Sequence, residues 1–114
     1  MILDFSQYRF FLRPGKTDLR KGINGLSVLI QNVMEHDPFS KSLFLFCNGQ
    51  HKLLKIVYWD RNGFCLWQKK LARNKFPWPQ DEDAAREIEF NQLKMLLAGI
   101  DFFKAHQELR YSRV

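Results

Sequence analysis

Residues 43–67, LFLFCNGQHKLLKIVYWDRNGFCLW, predict three consecutive β-strands joined by two short turns. Both turns contain Asn and Gly, residues that tolerate the positive φ angles of tight hairpins. The strand segments are apolar and rich in aromatic and β-branched residues, as strands inside a sheet usually are. The predicted strands are Leu43–Cys47, Leu53–Trp59 and Phe64–Trp67, and the turns are Asn48-Gly49 and Asp60-Arg61-Asn62-Gly63.

The register of the second hairpin decides which of its side chains share a face. If Trp59 pairs with Phe64, Val57 and Leu66 lie on the same face as that pair, because side chains alternate along a strand. The opposite face then carries Ile56, Tyr58, Cys65 and Trp67. Both faces are apolar near the turn, so both need cover. A chain of 114 residues covers one face readily, which favours a second face left for a partner.

The segments on either side supply the remaining elements. Arg9–Leu12 predicts a short strand that ends at the turn residues Pro14 and Gly15. Apolar residues at helical spacing then predict one long amphipathic helix over 18–35, with Thr17 or Asp18 as its N-cap. Gly22 and Gly25 lower helix propensity, so we expect them to permit close approach to a strand. Residues 87–90 predict a short strand, and residues 91–98 a helix capped by Asn91 and ended by Gly99.

These elements predict an α+β fold: a mostly antiparallel sheet with the long helix packed on one face and a shorter C-terminal helix. Residues 1–100 are expected to form a single compact domain, and residues 101–114 a partly ordered tail. Cys47 and Cys65 are expected to be reduced core thiols, with a disulfide between neighbouring strands as the alternative. With no signal peptide and no run of about 18 apolar residues, we expect a cytoplasmic protein without a membrane partner.

The net charge of +6 is unevenly distributed along the chain. Residues 41–79 contain eight Lys or Arg and one Asp, whereas residues 80–114 contain five basic and seven acidic residues. The basic residues alternate with Trp, Tyr and Phe, a composition that suits a phosphate backbone with stacked bases. A solvated basic face that only maintains solubility is the alternative.

Gly15-Lys16-Thr17 invites comparison with a phosphate-binding loop, but Phe10 occupies the position of the required first glycine. Nucleotide hydrolysis is therefore not expected. The predicted helix N-terminus beside Lys16, Arg20 and Lys21 is a candidate phosphate site, and a plain helix cap with a solvated first turn is the alternative.

No residue pattern indicates catalysis or a cofactor. His36, His51 and His106 are far apart and belong to no metal-ligand motif, so neither a metal nor another cofactor is predicted. Few carboxylates are available for a two-metal site. An enzyme that uses Cys65, His51 or Asp60 would need an orienting residue that the sequence does not indicate. We therefore expect a protein without catalytic residues.

Several blocks of the chain resemble one known family. They are TDLRKGINGL at 17–26, DPFS at 37–40, LFLFCN at 43–48, LLKIVYWD at 53–60, NGFCLWQKKL at 62–71 and FPWP at 76–79. In this order they resemble the TnpB or Orf2-like accessory protein of IS66-family insertion sequences. The resemblance covers about positions 16–79, fits residues 80–100 loosely, and does not extend to the segment after Ile100.

The resemblance implies participation in transposition beside a separate, larger transposase that carries the chemistry. We predict a non-catalytic accessory protein that binds DNA, and the alternative is an adaptor that docks on the transposase without contacting DNA. DNA and the transposase are the expected partners, and a homo-oligomer stays open. Trp59 and Trp67 have a competing interpretation as core residues. The candidate DNA-binding residues are Lys16, Arg20, Lys21, Lys55, Trp59, Trp67, Lys69, Lys70, Arg73, Lys75 and Trp78.

Overall fold

The computed structural model describes residues 7–81 and 83–99. Within them lie strands β1 (Arg9–Leu12), β2 (Ser42–Cys47), β3 (Leu53–Asp60), β4 (Gly63–Lys70) and β5 (Arg86–Ile88), and helices α1 (Ile23–Asn32) and α2 (Phe90–Leu97). The strands form one sheet in the order β4-β3-β2-β1-β5. All neighbouring pairs are antiparallel except β1 and β2, which are parallel. The α+β class and the mostly antiparallel sheet are thus confirmed.

The predicted three-stranded segment forms β2, β3 and β4. Trp59 pairs with Phe64 and Asp60 with Gly63, so the second hairpin has the register that was considered for it above. β4 continues three residues beyond its predicted end, because Gln68, Lys69 and Lys70 stay paired with residues 53–55. Polar side chains do not end the strand there, because β4 is an edge strand and its side chains are partly open to solvent.

β1 has its predicted bounds and lies between β2 and β5. A parallel pair cannot be joined by a tight hairpin, so the chain crosses from β1 to β2 through α1. β5 spans Arg86–Ile88 rather than 87–90, because Phe90 is already the first residue of α2.

The prediction of one long helix over 18–35 is wrong, because α1 has ten residues and begins at Ile23. The carboxylate of Asp18 accepts hydrogen bonds from the backbone N–H and the guanidinium of Arg20, and its carbonyl accepts one from the N–H of Lys21. These bonds hold residues 18–21 in a turn, and Gly22 then occupies the N-cap position without a side-chain cap.

The expected role of the two glycines in α1 is also wrong. A Cβ at Gly25 would lie 3.1 Å from the Cβ of Lys21, and a Cβ at Gly22 would meet nothing within 4 Å. Among the described residues, the nearest atoms to Gly25 thus belong to Lys21 rather than to a strand, and nothing is close to Gly22. α2 is capped differently from the prediction too: Glu89 and Gln92 form a capping box, and Asn91 lies inside the helix. Gly99, with a φ of 79°, ends the helix region as predicted.

Two hydrophobic clusters lie on opposite faces of the sheet. On one face, Leu26 and Ile30 of α1 pack with Phe44, Phe46 and Val57. The other face is covered by α2 and the segment around Phe76 and Trp78. There Leu93, Leu96, Phe76 and Trp78 pack over Leu43, Leu45 and Ile56. The chain itself therefore covers both faces of β2 and most of β3, whereas β4 is only half-buried. The expectation that one face is left for a partner stays a prediction.

Both cysteines lie in the second of these clusters, Cys47 buried and Cys65 half-buried, and both are free thiols. Among the described residues, no helix has the length and apolar character needed to cross a membrane. The predicted tail, residues 101–114, lies outside the described residues. The domain boundary at residue 100 therefore stays a prediction.

Candidate nucleic-acid interface

Three loops meet at one end of the sheet, where β1, β2 and β4 finish and β3 begins. They are residues 13–17, 48–52 and 71–80, and backbone hydrogen bonds tie them together. The N–H of Thr17 donates to the carbonyl of Cys47 at 2.8 Å, and the N–H of Gly15 to that of Pro79 at 2.8 Å. The N–H of Phe76 donates to the carbonyl of His51 at 2.7 Å. The 71–80 loop therefore crosses the end of the sheet from β4 back to the loop after β1.

Phe76 and Trp78 anchor the 71–80 loop in the hydrophobic cluster on the α2 side of the sheet. Phe76 is 1% exposed and Trp78 is 7% exposed, and both belong to the cluster under α2. The indole N–H of Trp78 donates to the carbonyl of Arg13 at 2.9 Å, which satisfies the polar atom of a buried ring. The predicted nucleic-acid residue Trp78 is thus a buried anchor that fixes the position of the loop.

The three loops together with Lys70 carry six basic residues, and no Asp or Glu occurs among residues 13–17, 48–52 and 70–80. Within residues 7–81 and 83–99, none of these six forms an ion pair. Lys16, Lys70, Arg73 and Lys75 are exposed, and Arg13 and Lys52 are half-buried. We call this set the basic end: Arg13, Lys16, Lys52, Lys70, Arg73 and Lys75.

Lys55 and Lys69, which the sequence also placed in the interface, are engaged with the fold on opposite faces of the sheet. The ammonium of Lys55 donates to the carbonyl of Leu19 at 2.7 Å, on the α1 side. The ammonium of Lys69 donates to the carbonyl of Leu97 at 2.9 Å, at the C-terminus of α2 where cations are favoured. Each lysine ties a helix-bearing segment to the sheet, and neither belongs to the basic end.

Arg20 and Lys21 precede α1 on the side of the sheet that α1 covers. The guanidinium of Arg20 makes two hydrogen bonds to Asp18, at 2.9 and 2.8 Å, and these lower the pKa of the Asp18 carboxyl. The charge of Arg20 is therefore largely balanced by its neighbour. Because α1 begins only at Ile23, the predicted phosphate site at a helix N-terminus is displaced from Lys16.

The family of the chain follows from comparison with known proteins. The model of the family described as IS66 Orf2 like protein matches residues 8–107. The chain belongs to this family. The match is longer than the resemblance over 16–79, since it includes β1, β5, α2 and the first residues after them.

Two curated relatives of this IS66 Orf2-like chain come from Sinorhizobium fredii (strain NBRC 101917 / NGR234). "Uncharacterized protein y4hO" is 36% identical over 114 residues, which are 100% of this chain and 99% of the relative. "Uncharacterized protein y4jC" is 29% identical over 100 residues, which are 88% of this chain and 86% of the relative. No solved structure matches the chain.

The other candidate aromatic residues of the Orf2-like chain lie away from the basic end. Trp59 and Phe64 sit at the β3–β4 turn, at the opposite end of the sheet, and Phe39 packs against both of them. The ring centroids are 5.0 Å apart for Phe39 and Trp59, 5.4 Å for Phe39 and Phe64, and 5.0 Å for Trp59 and Phe64. Phe39 is 57% exposed. We call Phe39, Trp59 and Phe64 the aromatic end; Trp67 instead is half-buried under the α2 side.

The sequence prediction missed Arg13 and Lys52 at the basic end and Phe39 at the aromatic end. Arg13 directly follows β1 and Lys52 directly precedes β3, so their proximity depends on the parallel pairing of β1 with β2. Knowledge of that pairing would have been the signal for both. Phe39 lies in the connection before β2, and its contacts with β3 and β4 have no counterpart in the local sequence pattern.

The arrangement does not bring together the residues weighed for an enzyme. Cys65 pairs with Tyr58, whereas His51 precedes β3, which separates them by seven positions along that strand, or about 20 Å. Among the described residues, no group of three or more His, Cys, Asp or Glu is placed to hold a metal ion. Burial raises the pKa of the Cys47 thiol to about 12, which disfavours the nucleophilic thiolate there.

Proposed function

We propose that this chain is a non-catalytic accessory protein of insertion-sequence transposition that binds DNA through the basic end. The family supports the association with an insertion sequence, and the proposed division of labour leaves the chemistry to a separate transposase. The observation that carries the DNA-binding proposal is the basic end itself: five cations on three joined loops and a sixth, Lys70, at the end of β4, with no acidic residue among them.

Such a cluster is electrostatically unfavourable unless an anion offsets it, because like charges repel and raise the free energy of the compact state. The side chains of Lys16, Lys70, Arg73 and Lys75 are solvated and have no carboxylate partner among the described residues. A phosphate backbone provides closely spaced negative charges, and its binding releases condensed counterions. The loops are also held in place before any ligand arrives, which lowers the entropy cost of binding.

The test is fluorescence anisotropy with labelled duplex DNA across a series of salt concentrations. The variant Lys70→Glu/Arg73→Glu/Lys75→Glu changes three exposed residues whose side chains form no ion pair among the described residues. We expect it to weaken binding at least about 30-fold at moderate salt. The slope of log affinity against log salt concentration should become shallower by about 3, because three phosphate contacts are lost.

The matched control is Lys41→Glu/Arg61→Glu/Lys94→Glu, which changes the net charge equally but away from the basic end. We expect this control to retain most of the affinity. Equal losses in the two variants would mean that only the net charge matters. Absence of DNA binding at low salt by the folded wild-type protein would overturn the proposal.

A second candidate function, an adaptor that docks on the transposase of the same element, is favoured by the aromatic end. Phe39 exposes more than half of its surface while its ring contacts Trp59 and Phe64, as an anchor residue at a protein interface does. We expect Phe39→Ser to weaken binding to that transposase, measured by calorimetry, with little dependence on salt. Unchanged affinity in this variant would remove the adaptor candidate.

A further inference from the structure

We infer that the basic end recognises double-stranded DNA through its phosphates alone, without stacking on bases and without reading their sequence. This inference rests on the proposed DNA-binding function and specifies its ligand. The basic and aromatic composition of residues 41–79 is equally compatible with single-strand binding by base stacking and with duplex binding through phosphates. Three features of the described residues favour the duplex: the positions of the aromatic rings, the spread of the cations, and the lack of a helix or hairpin that protrudes from the basic end.

The rings needed for stacking are not accessible at the basic end. Binding of single strands generally combines a basic groove with exposed aromatic side chains on which successive bases stack. Within residues 13–17, 48–52 and 70–80 the Phe and Trp residues are Phe76 and Trp78, 1% and 7% exposed. Trp78 also donates its indole N–H to the carbonyl of Arg13. Trp59 and Phe64 are at the far end of the sheet. The imidazole of His51 is half-buried, and its Nε2 lies 3.0 Å from the side-chain amide nitrogen of Gln80. Among the described residues, a strand bound at the basic end would therefore find cations but no exposed Phe, Trp or Tyr ring.

The cations are spread along the end of the sheet, from β1 to β4. Arg13 and Lys16 follow β1, Lys52 precedes β3, and Lys70, Arg73 and Lys75 are at or beyond the end of β4. β4 and β1 are separated by three inter-strand spacings, about 14 Å in total. This is comparable with the width of about 12 Å of the major groove, across which the two phosphate backbones face each other. The two backbones of a duplex therefore have a spacing that matches the two sides of the basic end.

No described element is placed to enter a groove from the basic end. Reading bases in the major groove requires a protruding helix or a two-stranded ribbon. Both helices lie on the faces of the sheet. The β2–β3 hairpin lies between β1 and β4 and is not a free ribbon. Contacts made by its loop and by the neighbouring loops are thus directed at the backbone, which carries no sequence information.

The experiment compares a labelled duplex of about 20 base pairs with each of its separated strands and with a duplex of unrelated sequence, all by anisotropy at matched salt. We expect the duplex to bind at least about 10-fold more tightly than either strand, and the two duplexes to differ by less than about 3-fold. The salt slope should lie between about −3 and −5, as expected for up to six phosphate contacts. Arg73→Gln should flatten it by about one, and the control Arg61→Gln should leave it unchanged.

The outcomes separate this inference from the function on which it rests. Equal or tighter binding of single strands, with quenching of tryptophan fluorescence, would overturn the inference and leave a DNA-binding function in place. A difference of more than about 10-fold between the two duplexes would overturn the phosphate-only mode. Absence of binding to all the DNA probes would overturn both the inference and the proposed function.

Discussion

The two ends of the sheet are built from the same strands but place opposite chemistry at the surface. At the basic end, Lys16, Lys70, Arg73 and Lys75 are exposed, while Phe76 and Trp78 are buried beneath the loop that carries two of these cations. At the aromatic end, Phe39 is exposed and the neighbouring cation, Arg61, lies 3.7 Å from the carboxylate of Asp60. Basic and aromatic residues that alternate in the sequence are therefore separated in space. A mixed composition does not establish a mixed surface.

The largest expected effect is on stability, when a buried ring at the basic end or an exposed ring at the aromatic end is removed. Trp78→Ala should lower the free energy of unfolding by about 3–5 kcal/mol, because it empties a core position and leaves the Arg13 carbonyl without its donor. Phe39→Ala should cost about 1 kcal/mol or less, since most of that residue is already in solvent. Urea unfolding measures both, and similar losses at the two ends would contradict the comparison.

A smaller effect should distinguish the lysines that support the fold from those that face solvent. Lys55→Met and Lys69→Met keep most of the apolar stem but remove the hydrogen bonds to Leu19 and Leu97, so each should cost about 1–2 kcal/mol of unfolding free energy. The neighbouring Lys70→Met should leave stability within about 0.5 kcal/mol and weaken DNA binding instead. If Lys55→Met weakened DNA binding without loss of stability, the assignment of Lys55 to the fold would be wrong.

The smallest effect concerns the two thiols, one near each end of the sheet. Cys47 ends β2 beside the basic end and is buried, while Cys65 near the β3–β4 turn is half-buried. Burial raises the pKa of Cys47 to about 12, so a thiol reagent at pH 8 should label Cys65 first and Cys47 only as the protein opens. Mass spectrometry of native protein, with Cys65→Ser as the control, measures this order. Rapid labelling of Cys47 would contradict its burial.

The Cys47 thiol should also make the protein less stable at alkaline pH. An acid whose pKa is raised by folding favours the folded state while it stays neutral, and that contribution is lost once the unfolded thiol ionises. For Cys47 the loss should begin as pH rises past the ordinary thiol pKa of about 8.5 and continue towards pH 12. Cys47→Ala should therefore reduce the alkaline fall in unfolding free energy, which denaturant titrations at pH 8 and pH 10 would detect.

The local signals in the sequence predicted the central sheet well. Apolar runs and turn residues predicted β2, β3 and β4, and β1 has its predicted bounds. The pairing of Trp59 with Phe64 was one possible register, and it is the one observed. The limits of α1 were wrong, because apolar spacing continued through Leu19 whereas the hydrogen bonds between Asp18 and Arg20 held residues 18–21 in a turn. A hydrophobic period indicates which side chains are buried, but not whether the backbone between them is helical.

The candidate site was less predictable, because its composition depends on tertiary contacts. Lys55 and Lys69 are basic and lie in the predicted region, yet the carbonyls they bind belong to Leu19 and Leu97, 36 and 28 positions away in the sequence. Trp78 was predicted as a contact for nucleic acid, and its burial depends on α2 and on the loop after β1. Among the predicted residues, Lys16, Lys70, Arg73 and Lys75 do come together at the basic end.

The position of β1 between β2 and β5 has a consequence for how the chain is assembled. Phe10 pairs with Leu43, 33 positions away, and with Ile88, 78 positions away. Closing such long loops is entropically costly, whereas the β2–β4 hairpins join near neighbours and are expected to form first. Among the described strands β1 leaves the ribosome first, and both of its neighbours in the sheet are synthesised later. β1 is therefore expected to pair late although it is made early. The apolar segment Phe10–Leu12 has no neighbouring strand on the β5 side until residues 86–88 have been synthesised.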